Sequence, residues 1–202
     1  IIYVSTSLKN KYIDILRHLL MMKKNNTCIL LLLLSTLPLL VTAQSNDWRL
    51  VWSDEFNTEG RLSPSVWNYE QGYARNEEAQ WYQPDNAVCK GGLLVIEARK
   101  EQGRRNPLYV RGSNDWRKKR EFVEYTSSSV TTAGKKEFLY GRFEVRARIP
   151  VAKGAWPAIW MLGSNMEWPS CGEIDLMEYY HIRGIPHILA NAAWGTDKQW
   201  GA

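Results

Sequence analysis

Hydrophobic and polar residues alternate along several segments of the chain, which is the pattern of β-strands that bury one face. Residues 142–149 alternate without a fault and are followed by Pro150, which cannot donate to a strand ladder. Residues 92–98 and 127–132 are further predicted strands, because they are rich in β-branched residues and bounded by glycine or an Ala-Gly pair. No long segment repeats with the period of a helix. The pattern therefore predicts an all-β protein folded as an antiparallel sandwich.

The first part of the chain contains a predicted secretory signal peptide. Residues 22–43 begin with Met22 and two lysines, continue through an apolar run over residues 28–41, and end in small residues suited to cleavage. The run is shorter than the roughly 18 residues of a membrane-spanning helix, so it predicts secretion to the periplasm or beyond, without an anchor. Residues 1–21 are predicted to be upstream translation rather than native protein, and residues 44–202 the working domain.

The net charge of +5 comes mostly from the leader. Residues 1–43 hold five of the 26 basic residues and one of the 21 acidic ones, which leaves 21 against 20, or +1, over the rest. A nucleic-acid-binding module usually carries a basic face, so this class of partner is excluded. Residues 103–120 contain seven Lys or Arg residues among Gly, Pro and Asn, and are predicted to be an exposed, solvated loop rather than an anion site.

Three acidic residues stand within six positions of an otherwise apolar run. In a strand, Glu173 and Asp175 point to the same face, because side chains alternate. Glu178 would then face the core, where a carboxylate is costly. One extra residue at Leu176-Met177, a β-bulge, returns Glu178 to the acidic face, and bulges commonly re-aim side chains at active sites. The spacing therefore predicts a bulged strand.

This geometry can be compared with the needs of catalysis. Across the bulge the two glutamate Cα atoms are about 13 Å apart, and inward-reaching side chains leave about 5 Å between the carboxyl groups. Retaining glycoside hydrolysis uses a separation of about 5–5.5 Å. The apolar neighbours Ile174 and Leu176 or Met177 are predicted to lie behind the acids in the core. An exposed acidic face or a calcium site remains an alternative interpretation of the carboxylates alone.

The six residues 173–178 resemble the bulged E-x-D-x-x-E signature of glycoside hydrolase family 16, in particular its laminarinase-like endo-β-1,3-glucanases. Further segments are similar to motifs of that family in the same order along the chain: residues 52–56, 76–82, 140–144 and 154–162, and the Trp-Pro pair at 168–169. The resemblance covers about residues 48–195. It implies a β-jelly-roll sandwich of two antiparallel sheets with a concave cleft for a polysaccharide.

The resemblance also implies the roles of individual residues. It makes Glu173 the nucleophile, Glu178 the general acid/base and Asp175 the neighbour that tunes the nucleophile. Four further residues are implied to bind sugar, three as stacking platforms and one by hydrogen bonds: Trp156, Trp160, Trp168 and Asn76. Trp156 and Trp160 are four positions apart, so on one strand they would share a face, with packing in the core as the alternative. Three more tryptophans are assigned to the core: Trp48, Trp52 and Trp67.

Two departures bear on the substrate. Ser129 stands where many laminarinase-like members have arginine, and Ala193 where many have histidine. The favoured substrates are a β-1,3-glucan or a mixed-linkage β-glucan, while the basic loop would fit an anionic or sulfated galactan. A transglycosylase or a non-catalytic carbohydrate-binding protein on the same fold is also compatible with the sequence. The chemistry requires no cofactor, a structural calcium ion fits the family, and a monomer is expected.

Two features of the chain stay open at this stage. Cys89 and Cys171 are the cysteines outside the leader, and they can be either a disulfide or two buried thiols. Residues 44–202 number 159, fewer than the roughly 200–250 of many single-domain sandwiches, so the domain is expected to be incomplete at its carboxyl end.

Overall fold

A computed structural model describes residues 2–7, 48–195 and 200–201 of the chain. Within these ranges the secondary structure is strand, with one 3₁₀ turn at Pro84–Asn86 and no α-helix, which confirms the all-β prediction. No helix in the described ranges has the length and apolar character needed to cross a membrane. The strands are β1 (Ile2–Ser7), β2 (Trp48–Asp54), β3 (Asn68–Tyr69), β4 (Gln80–Tyr82), β5 (Ala87–Lys90), β6 (Leu93–Ile96), β7 (Arg99–Lys100), β8 (Tyr125–Ser127), β9 (Val130–Thr131), β10 (Arg142–Val145), β11 (Ala158–Leu162), β12 (Glu173–Ile182), β13 (Ile185–Gly195) and β14 (Trp200–Gly201).

The chain forms two compact units, of which the first comprises residues 1–55 with 138–146. Its antiparallel sheet has the order β10-β1-β2. Trp52 packs against Phe138 with ring centroids 5.6 Å apart, as expected for a core tryptophan. The core prediction is wrong for Trp48, which is 43% exposed, because it lies at the outer end of the edge strand β2. Residues 8–47 lie outside the described residues, so the signal peptide at 22–43 stays a prediction.

The second unit, residues 56–137 with 147–202, contains the remaining strands. Its largest sheet has the order β11-β12-β13-β14, and smaller sheets pair β3 with β9, β5 with β6, and β4 with β8 and β7. Strands β12 and β13 form a long hairpin, closed by Arg183 and Gly184, whose φ angles of 52° and 82° suit a tight two-residue turn. The β4–β8 pair is parallel, which differs from the purely antiparallel sheets expected from the sequence.

The three strands predicted from alternation and from β-branched content exist but are shorter than predicted. The segment 142–149 forms a strand only over Arg142–Val145, and Val145 lies opposite Ile2, the first residue of β1. The segment 92–98 is reduced to β6. The segment 127–132 is divided between the end of β8 and β9. The sequence pattern therefore identified the strands but not the residues at which they end.

In the part of the chain that the structure describes, the core of the second unit does not cover the apolar neighbours of the acids at residues 174 and 176. Trp67 is 7% exposed and packs against Phe56 at 6.1 Å, which confirms that Trp67 is a core residue. Behind the acids, Ile174 is 52% and Leu176 36% exposed, so the prediction that they lie in the core is wrong. The part of the chain that the structure describes leaves these two side chains uncovered, whereas Met177 is half-buried.

Candidate active site

Strand β12 contains the predicted bulge. On β11, Trp160 lies opposite Asp175, and the residue before it, Ile159, lies opposite Met177. Leu176 therefore has no opposite residue on β11. The pairing with β13 shifts by one residue in the same interval. An extra residue on one strand re-aims every side chain that follows it. The prediction of a bulge at Leu176-Met177 is therefore confirmed.

The two glutamates on either side of the bulge are each held by an indole. Trp168 Nε1 donates a hydrogen bond to Glu173 Oε2 at 2.7 Å, and Trp156 Nε1 donates to Glu178 Oε1 at 3.0 Å. Asp175, between them, is only 5% exposed. The three carboxyl groups therefore lie on one face of β12, and each glutamate keeps one oxygen that its indole does not occupy.

The electrostatics of this face follow from its unpaired charges. Partial burial raises the pKa of the Glu173 carboxyl, the hydrogen bond from Trp168 opposes the rise, and the charge of Asp175, its hydrogen bond and the charge of Glu178 add to it. No ion pair joins these acids to a lysine or arginine of the described residues. These surroundings therefore stabilise the protonated form of Glu173 and raise its pKa above that of a free glutamate.

The loop that carries Trp168 is fixed at its base. Gly163 N donates to Gly172 O at 3.1 Å, so the chain leaves β11 and returns to β12 at the same point. A Cβ added to Gly163 would lie 2.1 Å from the carbonyl oxygen of Cys171, which is closer than any real contact. Glycine is therefore required at this close approach. The closed loop places the Trp168 indole beside Glu173.

The other two tryptophans are placed differently from the prediction that both stand on one strand. Trp160 lies within β11 opposite Asp175, and residues directly opposite share a face, so Trp160 belongs to the acidic face. Trp156 lies in the loop before β11, which begins only after Pro157. Proline has no N–H for a strand ladder, and only the carbonyl of Pro157 is paired, as the acceptor of a hydrogen bond from Tyr179 N. The predicted common strand is wrong, although Trp156 still reaches Glu178.

Asn76 lies in an exposed turn whose backbone is left-handed, with φ angles of 54° at Asn76 and 51° at Glu77. Two arginines of the basic loop hold this turn in place. Arg117 and Arg120 donate, at 2.8–3.1 Å, to four backbone carbonyls, those of Tyr73, Ala74, Glu77 and Glu78. Residues 73–78 are called the clamped turn below. Asn76 is thus positioned by residues that sequence reasoning assigned to a solvated loop.

Most of the other charges of the basic loop also have partners. Four ion pairs involve its side chains: Lys118 with Asp115, Lys119 with Glu77, Arg105 with Glu121, and Arg104 with Glu101. The loop contains no named strand or helix, as predicted. Its cations serve internal contacts, so the charge run carries no assembled anion site within the described residues.

Sequence reasoning missed a polar cluster beside Trp160. Arg75 pairs with Glu70, and the Ser129 hydroxyl donates a hydrogen bond to the same carboxylate. The guanidinium of Arg75 lies 5.1 Å from the ring centroid of Trp160. The contacts join residues up to 59 positions apart, so no local pattern announces them. The sequence offered one signal of this cluster: Ser129 stands where many laminarinase-like members have arginine. A position that differs from the family often has a spatial neighbour that differs as well.

Metal binding and the cysteines were also open in the sequence. Among the described residues, no group of three or more His, Cys, Asp or Glu side chains has the arrangement of a metal site. The structural calcium ion stays an expectation. Cys171 is a free thiol in the structure, so it does not form a disulfide with Cys89.

Related sequences are found for most of the chain. Residues 67–185 match the sequence profile described as the XgeA-like, catalytic GH16 domain. The β-glucanase of Rhodothermus marinus is 39% identical over 174 residues, which cover 75% of this chain and 54% of that protein. The keratan-sulfate endo-1,4-β-galactosidase of Sphingobacterium multivorum is 34% identical over 166 residues, covering 80% of this chain and 36% of that protein. The chain therefore spans about half or less of the length of these relatives.

A solved structure shows the same fold. The laminarinase of Rhodothermus marinus matches with a TM-score of 0.52 at 34% identity, over 75% of this chain and 69% of that one. Together with the strand content of the described residues, this match confirms the predicted β-jelly roll.

Proposed function

Because the chain belongs to glycoside hydrolase family 16, we propose that it carries the active site of a retaining endo-hydrolase for β-1,3-glucan or mixed-linkage β-glucan. One observation supports this proposal above the others. The bulge in β12 places Glu173 and Glu178 on one face, each with an indole N–H on one oxygen and a second oxygen directed elsewhere. Double displacement at a sugar requires two such carboxyl groups, one as the nucleophile and one as the acid/base.

The proposed reaction has two steps. The second oxygen of Glu173 attacks the anomeric carbon while Glu178 protonates the departing glycosidic oxygen, which breaks the sugar–sugar bond and forms a glycosyl ester. Glu178, now a carboxylate, removes a proton from water, whose oxygen attacks the same carbon and releases Glu173. No cofactor takes part in these steps.

Asp175 has a supporting role in this proposal. It is nearly fully buried and lies on the same face of β12 as Glu173, two positions along the strand. Its negative charge also raises the pKa of Glu173. A more basic carboxylate is a stronger nucleophile, and the charge repulsion is relieved when Glu173 becomes a neutral ester. Asp175 therefore favours the covalent intermediate.

The proposed sugar contacts use exposed indole faces. Trp156 and Trp168 are 49% and 53% exposed, and their N–H groups are directed to the glutamates, so the exposed parts of the rings can stack on pyranose C–H groups. Trp160 contributes a half-buried ring next to Asp175. Asn76, exposed in the clamped turn, offers an amide to sugar hydroxyls.

The charges favour a neutral glucan over a sulfated galactan. The basic loop was the reason to consider an anionic substrate, and six of its seven arginines and lysines contact backbone carbonyls or carboxylates. A galactan hydrolase stays the second candidate, since one relative is a keratan-sulfate endo-1,4-β-galactosidase. Secretion through the predicted signal peptide and action as a monomer on a polysaccharide complete the proposal.

Product analysis tests the substrate and the stereochemistry together. The full-length protein is incubated with laminarin, mixed-linkage β-glucan and keratan sulfate, and early products are followed by proton NMR. We expect short β-glucan oligosaccharides whose new reducing ends first appear as the β anomer, because two successive displacements at the anomeric carbon restore its configuration. First appearance of the α anomer would contradict the dyad, and cleavage of keratan sulfate alone would select the galactan hydrolase.

A further inference from the structure

A cation lies on the same face as the catalytic acids. Trp160 stands directly opposite Asp175 across the β11–β12 pair, so its side chain projects from the acidic face. The guanidinium of Arg75 lies 5.1 Å from the centroid of that ring, within the range of a cation–π contact. The clamped turn thus brings Arg75 to the side of the cleft where a sugar next to the cleavage point would lie.

The guanidinium has a fixed orientation and spare donors. Nη2 of Arg75 donates to both oxygens of Glu70, and Ser129 donates to one of the same oxygens. An arginine has five N–H donors, of which Nη2 supplies two. Within the described residues no hydrogen bond uses Nη1 or Nε of Arg75. Three donors on a rigid, planar group therefore remain for a ligand.

The surroundings select a neutral ligand. Glu70 compensates the charge of Arg75, and both side chains are about 30% exposed, so the pair is partly desolvated. Burial lowers the pKa of Arg75, and the hydrogen bond and charge of Glu70, followed by Tyr82 and Glu78, raise it above its usual range. A pair without net charge attracts a sulfate group poorly but still donates hydrogen bonds.

Resting on the proposed function, we propose that Arg75 is a substrate-binding residue that donates hydrogen bonds to hydroxyl groups of a neutral sugar seated against Trp160. Glu70 and Ser129 are positioning residues that hold the fork in plane. The arginine of this subsite comes from the clamped turn. Position 129, where many laminarinase-like members have arginine, contributes only a hydroxyl that donates a hydrogen bond to Glu70. The subsite discriminates against charged saccharides by its own neutrality.

Binding measurements on an inert enzyme test this assignment. In the full-length protein with Glu173→Gln, calorimetric titration with laminari-oligosaccharides compares the parent with Arg75→Ala and Arg75→Lys. We expect about tenfold weaker binding for both variants, because hydrogen bonds from a charged donor are lost and the planar fork is not restored by lysine. The Lys variant keeps a cation for Glu70, so its thermal unfolding should match the parent. In the active enzyme, KM should rise more than kcat falls.

Two comparisons make the test decisive. Lys118→Ala removes an exposed cation that pairs with Asp115, and its affinity should equal that of the parent. Equal binding by the parent and both Arg75 variants would overturn the role of Arg75 alone, as would full recovery of affinity in Arg75→Lys. Failure of the parent itself to bind any neutral β-glucan would overturn the proposed function and this inference with it. Tighter binding of a sulfated galactan oligosaccharide than of the glucan would overturn the neutral subsite.

Discussion

The catalytic strand and the basic loop are both densely charged, and they use their charges in opposite ways. Glu173, Asp175 and Glu178 have no ion-pair partner among the described residues, and the charges of the other two raise the proton affinity of Glu173. In the basic loop, Arg117 and Arg120 are directed to backbone carbonyls. The strand keeps its charge available for chemistry, whereas the loop uses its charge for structure.

The difference shows that charge density in a sequence does not identify a ligand site. In a cluster of carboxylates without cationic partners, mutual repulsion destabilises the ionised form of each group, and the groups remain free to react with a substrate. A guanidinium that completes the hydrogen bonds of a strained turn instead stabilises the fold, because buried carbonyls need donors. Whether a charged side chain is available to a ligand depends on how many hydrogen bonds and ion pairs it already makes within the protein. Substitutions in both regions test this dependence.

The largest effect is expected on the catalytic strand. Glu173→Gln should lower kcat on a β-1,3-glucan by about a thousandfold or more, because an amide cannot form the glycosyl ester, while binding is kept. Hydrolysis rates and titration calorimetry on the same preparations measure the two effects. Glu167→Gln makes the same change at an exposed position on the loop before β12 and should leave activity intact. Residual activity of more than a few per cent in Glu173→Gln would refute its role as nucleophile.

An intermediate effect is expected in the loop. Arg117→Ala leaves the carbonyls of Tyr73 and Ala74 without their donors and should lower the free energy of unfolding by about 1–3 kcal/mol. The loosened turn should also raise KM. Denaturant unfolding and steady-state kinetics measure the two quantities. Lys118→Ala, with the same loss of charge in the same loop, should change neither. If both variants behaved alike, the loop would be a solvated charge run after all.

The smallest effect is a shift in pH dependence. Asp175→Asn removes a negative charge beside Glu173, which stabilises the ionised carboxylate and lowers the pKa of Glu173. Since Glu173 must be ionised to attack, activity should persist to lower pH. The acid limb of kcat/KM against pH measures the shift. An unchanged limb, or one displaced to higher pH, would mean that Asp175 does not set the proton affinity of the nucleophile.

The sequence predicted the catalytic strand well because all the relevant information is local. Three acids in six residues and the cost of burying Glu178 together require a bulge, and the register of β12 confirms it. The clamped turn was not predictable in this way. Its hydrogen bonds join residues 42 to 44 positions apart, and the composition of the basic loop is equally that of a solvated segment.

The remaining errors also have physical reasons. The spacing of Trp156 and Trp160 satisfied the period of a strand, but Pro157 stands between them and β11 begins only after it. Ile174 was assigned to the core by alternation, which predicts the side of a strand and not whether another element covers that side. A pattern of side-chain direction therefore carries no information on tertiary contacts.

The bulge has a further consequence, for how the length of this strand can change during evolution. Beyond it, the ring of Tyr180 meets Trp156 with centroids 5.8 Å apart, while Tyr179 is 4% exposed and donates to Val151 O. Loss of one residue between Asp175 and Glu178 could be absorbed by straightening the bulge, and every later side chain would keep its side of the sheet. The same deletion beyond Glu178 would exchange the environments of the residues that follow. We infer that deletion of a single residue is tolerated at this one point of the strand and selected against elsewhere.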